Sequence, residues 1–177
     1  MHAVALFLVF GLFVNVHGAT LDDLINALNT TSPVWTVTTN YLDKDGGETV
    51  MCDRWQLKNL SRTGYSYDYS YKNGSQYFDK GIINATLNSE GSMNVPDEAS
   101  GISTLYTLIH WDTNGKCFVL TRSKTSQIRS ERSAAVQCEV HVWHEYVNQN
   151  ISNLCHEAYK KKCGEEKHQV FFDDQCL

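Results

Sequence analysis

From residue 34 to residue 143 the chain alternates apolar and polar side chains in short runs, with a period of two. That period marks strands whose two faces meet different surroundings. The clearest run is "YSYDYSYKNGSQYF" at 65–78, where Tyr65, Tyr67, Tyr69 and Tyr71 occupy every second position and Ser66, Asp68 and Ser70 lie between. Similar runs lie at 34–41, 48–57, 63–71, 76–87, 92–95, 103–111, 116–123 and 134–143. Asp45-Gly46-Gly47, Asn73-Gly74 and Asn114-Gly115 fall between runs and carry the chemistry of hairpin turns. Helical spacing replaces the period of two at both ends. Leu21, Leu24, Ile25 and Leu28 follow Thr20, a suitable N-cap, with Asp22 and Asp23 in the first turn where they suit the helix dipole. The stretch 148–164 reads as a second helix stopped by Gly164, followed by an extended tail.

The order is thus helix, about eight antiparallel strands, helix, tail. Such a chain forms a sandwich or an up-and-down barrel. The apolar faces are rich in Tyr and Trp, and a buried phenol needs a partner for its hydroxyl. That suits a ligand-holding eight-stranded barrel better than a dry sandwich core.

Residues 3–16 hold one polar residue, Asn15, and no charge, and end near the small Gly18 and Ala19. This is the pattern of a secretory signal peptide, with cleavage expected after Gly18, so that 1–18 is leader and 19–177 one mature domain. No later run is apolar enough to span a bilayer. The mature chain is therefore expected to be extracellular, and its six cysteines, Cys52, Cys117, Cys138, Cys155, Cys163 and Cys176, to form three disulfides. Sequons at Asn29, Asn59, Asn73, Asn84 and Asn150 fit a glycoprotein. The formal charge of −5, with scattered basic residues, argues against a nucleic-acid partner.

Catalytic motifs are not found. "HVWHE" at 141–145 places His141 and His144 three apart, which on a strand puts them on opposite faces rather than around a metal. With every cysteine assigned to a disulfide, no thiol is left as nucleophile. The expectation is a binding protein without metal or cofactor.

The short leading helix with Trp35 opening the first strand, "YKNGS", "WDTNGKCFVL", "NLCHEAYKKKCG" and the terminal Cys176 together resemble the tick salivary lipocalins of the histamine-binding-protein family. The likeness covers the mature chain, and within the family the chain looks most like the japanin-like branch. The Gly-x-Trp motif near the first strand is absent. The resemblance implies an eight-stranded antiparallel barrel with a C-terminal helix packed outside it. It also implies the disulfides Cys52–Cys176, Cys117–Cys155 and Cys138–Cys163, out of fifteen possible pairings.

If those strand cysteines point outward, alternation sends Met51, Asp53, Trp55, Phe118, Leu120, Glu139, His141 and Trp143 inward, and Lys116 to a rim. A glycan on Asn84 would leave Gly81, Ile83, Ala85 and Leu87 inside. The polar face of the tyrosine strand is its natural solvent face, so Tyr65, Tyr67, Tyr69 and Tyr71 line the interior. Trp35, Val37, Tyr106 and Leu108 complete the expected wall. This mostly apolar wall suits a sterol such as cholesterol, or another lipid. A cationic amine such as histamine is the alternative, with Asp53 and Glu139 as its carboxylates and the tyrosines as cation–π partners. The resemblance implies a monomer secreted in saliva that acts on host immune cells such as dendritic cells. It also leaves open an outer surface that engages complement or another host protein, or capture of a leukotriene.

Overall fold

The computed structural model describes residues 18–97, 101–124 and 136–177. Residues 1–17 of the expected leader and the first residues of the last expected strand, Ala134 and Ala135, lie outside the described residues.

Helix α1 (Leu21–Leu28) starts as its sequence directs. The backbone N–H of Asp23 donates to the Thr20 hydroxyl at 3.2 Å, and the Thr20 N–H donates back to the Asp23 carboxylate at 2.9 Å. This capping box satisfies two N–H groups that the helix cannot. Leu24, Ala27 and Leu28 share the buried face.

Among the described residues eight strands form the barrel, besides the two-residue strands Lys44–Asp45 and His168–Gln169: β1 (Val34–Thr39), β2 (Glu48–Leu60), β3 (Gly64–Asn73), β4 (Gln76–Asn88), β5 (Ser92–Asp97), β6 (Ile102–Asp112), β7 (Cys117–Lys124) and β8 (Gln137–Trp143). Each pairs antiparallel with the next, and β1 pairs with both β8 and β2, which closes the barrel. Val34 is the closing residue, opposite Trp143 on one side and Trp55 on the other. α1 plugs the end at which β1 begins. Its tight approach requires Gly91: φ there is +67°, and a Cβ would stand 2.6 Å from the Ala19 carbonyl oxygen. No L side chain fits that position without moving backbone.

The β1–β2 seam has only two residue pairs, Val34 with Trp55 and Trp35 with Arg54. Beyond them the strands part, and the C-terminal tail fills the gap. Thr38 and Thr39 pair with Gln169 and His168. The Cys52 N–H donates to the Val170 carbonyl at 2.8 Å, and the Val170 N–H to the Val37 carbonyl at 3.1 Å. The tail is thus a short stave in the wall, answering backbone groups that would otherwise lack partners.

Helix α2 (Asn153–Cys163) lies outside the barrel, and α3 (Asp173–Cys176) ends the tail. Disulfides join Cys52 to Cys176, Cys117 to Cys155 and Cys138 to Cys163, the pairing the resemblance implied. Around them Val119, Val140, Val142, Tyr159 and Phe171 form an outer core between sheet and helix. α2 starts later than the pattern from 148 suggested. His144–Tyr146 makes a separate 3-10 turn, and the Ser152 hydroxyl caps the Leu154 N–H at 3.1 Å.

Candidate ligand-binding site

Strand alternation puts all four tyrosines of β3 on the inner face. Tyr65 and Tyr67 stack with centroids 4.7 Å apart, and Trp55 from β2 lies 5.2 Å from Tyr67 and 5.8 Å from Tyr106 of β6. The half of the barrel nearer α1 is filled by Leu24, Leu28, Tyr65, Leu87, Met93, Leu108, Phe118 and Leu120. Trp143 belongs to this floor. Its indole N–H donates to the Ala27 carbonyl at 2.9 Å, and Lys116 stands 4.8 Å above its ring. Tyr71 sits at the opposite end, stacked on Phe78 with its hydroxyl donating to Asp45. Ile83, Ala85 and Leu87 face inward and Asn84 is exposed, so β4 follows its expected parity.

Three expected wall residues, Trp35, Val37 and Met51, face outward instead. Trp35 lies next to Val34, which the pairings with Trp55 and Trp143 hold inside. Alternation therefore turns Trp35 out, where it packs on Phe171 at 5.1 Å and donates to His144 Nδ1 at 3.0 Å. Val37 joins the same outer core. Met51 is displaced by a bulge: three steps on β2 from Met51 to Arg54 face two on β3, and Cys52 takes φ +53°. The extra residue sends Met51 to the outer core while Asp53 and Trp55 keep their inward parity.

Above the apolar floor is a buried polar cluster. Glu139 and His141, two apart on β8, are 2 % and 0 % exposed. His141 Nε2 lies 2.8 Å from Glu139 Oε2, and its Nδ1 3.3 Å from the Thr36 hydroxyl. Its ring sits between Phe118, stacked at 4.9 Å, and Trp55 at 4.4 Å. The Tyr41 hydroxyl donates to Glu139 Oε1 and accepts from Arg122 Nη1 at 2.5 Å. Arg122 also holds Asp43 at 2.9 Å. Burial pushes the Glu139 carboxyl up. The hydrogen bond and charge of His141, the Arg122 guanidinium and the Tyr41 hydroxyl outweigh it and hold Glu139 below the usual carboxylate range.

Asp53 stands differently. Its Oδ1 is sealed from solvent and has no hydrogen-bond partner among the described residues. Burial first, then the nearby Glu139 charge, pushes its carboxyl well above the ordinary value, with Arg122 offsetting part of this. Asp53 also lines a cavity of ≈ 20 Å³ with Thr36, Thr39, Tyr41, Thr49 and Val170, at the seam where the tail enters the wall. A space of that size holds about one water. Burial likewise raises the phenols of Tyr67, Tyr69 and Tyr106, which keeps them neutral donors around the carboxylates.

Sequence reasoning missed Thr36, Tyr41, Asp43, Arg122 and Gln137. Two of these were within its reach. Arg122 continues the inward face of Phe118 and Leu120, and Gln137 that of His141 and Glu139. Tyr41 and Asp43 belong to a loop that folds back over the barrel, and no periodicity marks them.

A closed eight-stranded barrel, plugged by an N-terminal helix and braced by an outer C-terminal helix, is now in place. The fold is a lipocalin barrel. No protein-family model and no curated protein sequence matches the chain. Among solved structures it resembles japanin from Rhipicephalus appendiculatus bound to cholesterol, at 13 % identity and TM-score 0.57, over 85 % of this chain and 98 % of that one. It also resembles AM182 in a serotonin complex, at 16 % identity and TM-score 0.63, over 89 % and 93 %. Both share this chain's fold; the first is bound to cholesterol and the second is a serotonin complex.

Proposed function

We propose that this chain is a secreted lipocalin of the tick salivary type that sequesters a small ligand carrying a protonated amine. One observation carries this reading: Asp53 presents a sealed, unpartnered carboxylate oxygen at the edge of a small cavity that Thr36 and Tyr41 also line, with the phenols of Tyr67, Tyr69 and Tyr106 within electrostatic reach. Three carboxylates, the buried Glu139 and the partly buried Asp43 and Asp53, share one guanidinium, Arg122. Glu139 is answered by Tyr41, His141 and Arg122, so Asp53 is the group that lacks a cation. An ammonium there gains a charge-assisted hydrogen bond and the faces of Trp55, Tyr69 and Tyr106. The likeness to a serotonin-bound lipocalin supports the same class. Calorimetric titration of wild type and Asp53→Asn with histamine and serotonin tests it. Wild type should bind at least one of the two, and the amide should lose most of that affinity.

A second reading, sequestration of a sterol such as cholesterol or of another lipid, is favoured by the aliphatic wall of Ile83, Leu87, Leu108 and Leu120 and by the likeness to cholesterol-bound japanin. Extraction and mass spectrometry of protein secreted from insect cells tests it through any co-purified sterol. Under either reading the protein acts by binding rather than chemistry. Removing a mediator from host tissue is its route to modulating host immune cells, dendritic cells among them. The three disulfides suit the oxidising exterior that this role requires.

A further inference from the structure

We propose that the barrel reads a hydroxyl group on its ligand through Arg122 Nε and Gln137 Oε1. Arg122 on β7 and Gln137 on β8 stand directly opposite each other in the sheet register. Strand alternation turns both inward, Arg122 along the face of Phe118 and Leu120, Gln137 along that of Glu139 and His141. Residues so paired have Cβ atoms about 4.5–5.5 Å apart. Arg122 spends one end of its guanidinium on Tyr41 and Asp43, while its Nε–H is sealed from solvent without an acceptor. Gln137 Oε1 is sealed without a donor. Folded proteins rarely leave such atoms unpaired, because each forfeits its hydration for nothing.

A free donor beside a free acceptor defines the complementary group. A hydroxyl accepts from Arg122 Nε–H and donates to Gln137 Oε1 with its one hydrogen. An ammonium offers nothing to the Arg122 N–H. A carboxylate cannot satisfy Gln137 Oε1 and meets Glu139 and Asp43. A ketone answers one atom and leaves the other. An alcohol or phenol answers both. This inference rests on the reading that the barrel takes a ligand, but not on which of the two classes it is. A ring hydroxyl at the far end of an arylethylamine is one source and the hydroxyl of a sterol the other.

Tryptophan-fluorescence titrations with two matched pairs separate these sources: serotonin against tryptamine, and cholesterol against cholestane, which lacks the hydroxyl. In the pair that binds, the hydroxylated member should be tighter by about 10-fold or more, as expected for a hydrogen bond to a charged donor plus relief of an unpaired acceptor. Gln137→Leu should collapse that ratio toward one. Equal affinities within the binding pair overturn the hydroxyl assignment and leave the ligand class standing. A preference that survives Gln137→Leu overturns the role of Gln137. Binding of neither pair overturns this inference, while the amine reading then stands or falls on histamine.

Discussion

His141 and Glu139 stand 2.8 Å apart on one face of β8, inside the barrel, with Trp55 and Phe118 on either side of the imidazole. Glu139 also takes the Tyr41 hydroxyl and lies 3.7 Å from Arg122. Its folded pKa is depressed, so it contributes stability above the unfolded carboxyl pKa of about 4.3, and that contribution is lost as pH falls through the lower folded value. Glu139→Gln should therefore destabilise the protein at pH 7 by about 3–5 kcal/mol, the cost of stripping a buried charge pair of one partner. The deficit should shrink in acid. Urea unfolding at pH 7 and at about pH 2, below the unfolded carboxyl value, checks both statements.

Asp53 carries the opposite sign. Its folded pKa is raised, so the ligand-free protein loses stability as pH rises from the unfolded value of about 3.9 through the folded one. Asp53→Asn should stabilise the ligand-free protein at pH 7, because the amide removes the charge that burial and Glu139 penalise while keeping the side chain's shape, by about 1.4 kcal/mol for each pKa unit by which folding raises the carboxyl. The gain should vanish at low pH, where the carboxyl is protonated in both states. Thermal melts of the two proteins across pH 4–8 give the measurement.

The tail stave predicts a local opening. Cys176→Ser removes the bridge that holds residues 168–170 between β1 and β2, and disulfides of this kind contribute about 2–5 kcal/mol. Hydrogen exchange should show the largest loss of protection at the Cys52 and Val170 amides, which bond across the seam. The Leu87 and Leu108 amides, on β4 and β6 across the barrel from the seam, should change least.

The five sequons are not equivalent. Asn29, Asn59, Asn84 and Asn150 are exposed. The Asn73 side-chain amide donates to the Asp45 carbonyl at 2.8 Å, and its Oδ1 is sealed. A glycan on Asn73 would cost that bond in a turn that sets the β3–β4 register. Glycopeptide mapping of secreted protein should find Asn73 the least occupied of the five.

The sequence carried the barrel because alternation is local: Tyr65 to Tyr71 declare a strand and its inner face without help from the rest of the chain. Glu139, His141, Phe118 and Leu120 were legible for the same reason once the cysteines faced outward. Trp35 was not, because an indole fits either side of a wall, and the register with Trp55 and Trp143 decides between them. Met51 was lost to a single inserted residue at Cys52, which alternation cannot see. The tail stave and the Tyr41 loop answer groups far away in the chain, and only the closed barrel shows them.

Central to the account is a ligand ammonium meeting Asp53. Isothermal titration of ligand-free protein with serotonin and histamine, in wild type and in Asp53→Asn, tests that contact directly. The account predicts that wild type binds at least one of them. It predicts that the amide variant loses about 10-fold or more, as expected when a charge-assisted bond is replaced, and that wild-type affinity falls as acid protonates Asp53. Equal binding by both proteins, or a co-purified sterol that no amine displaces, would contradict it.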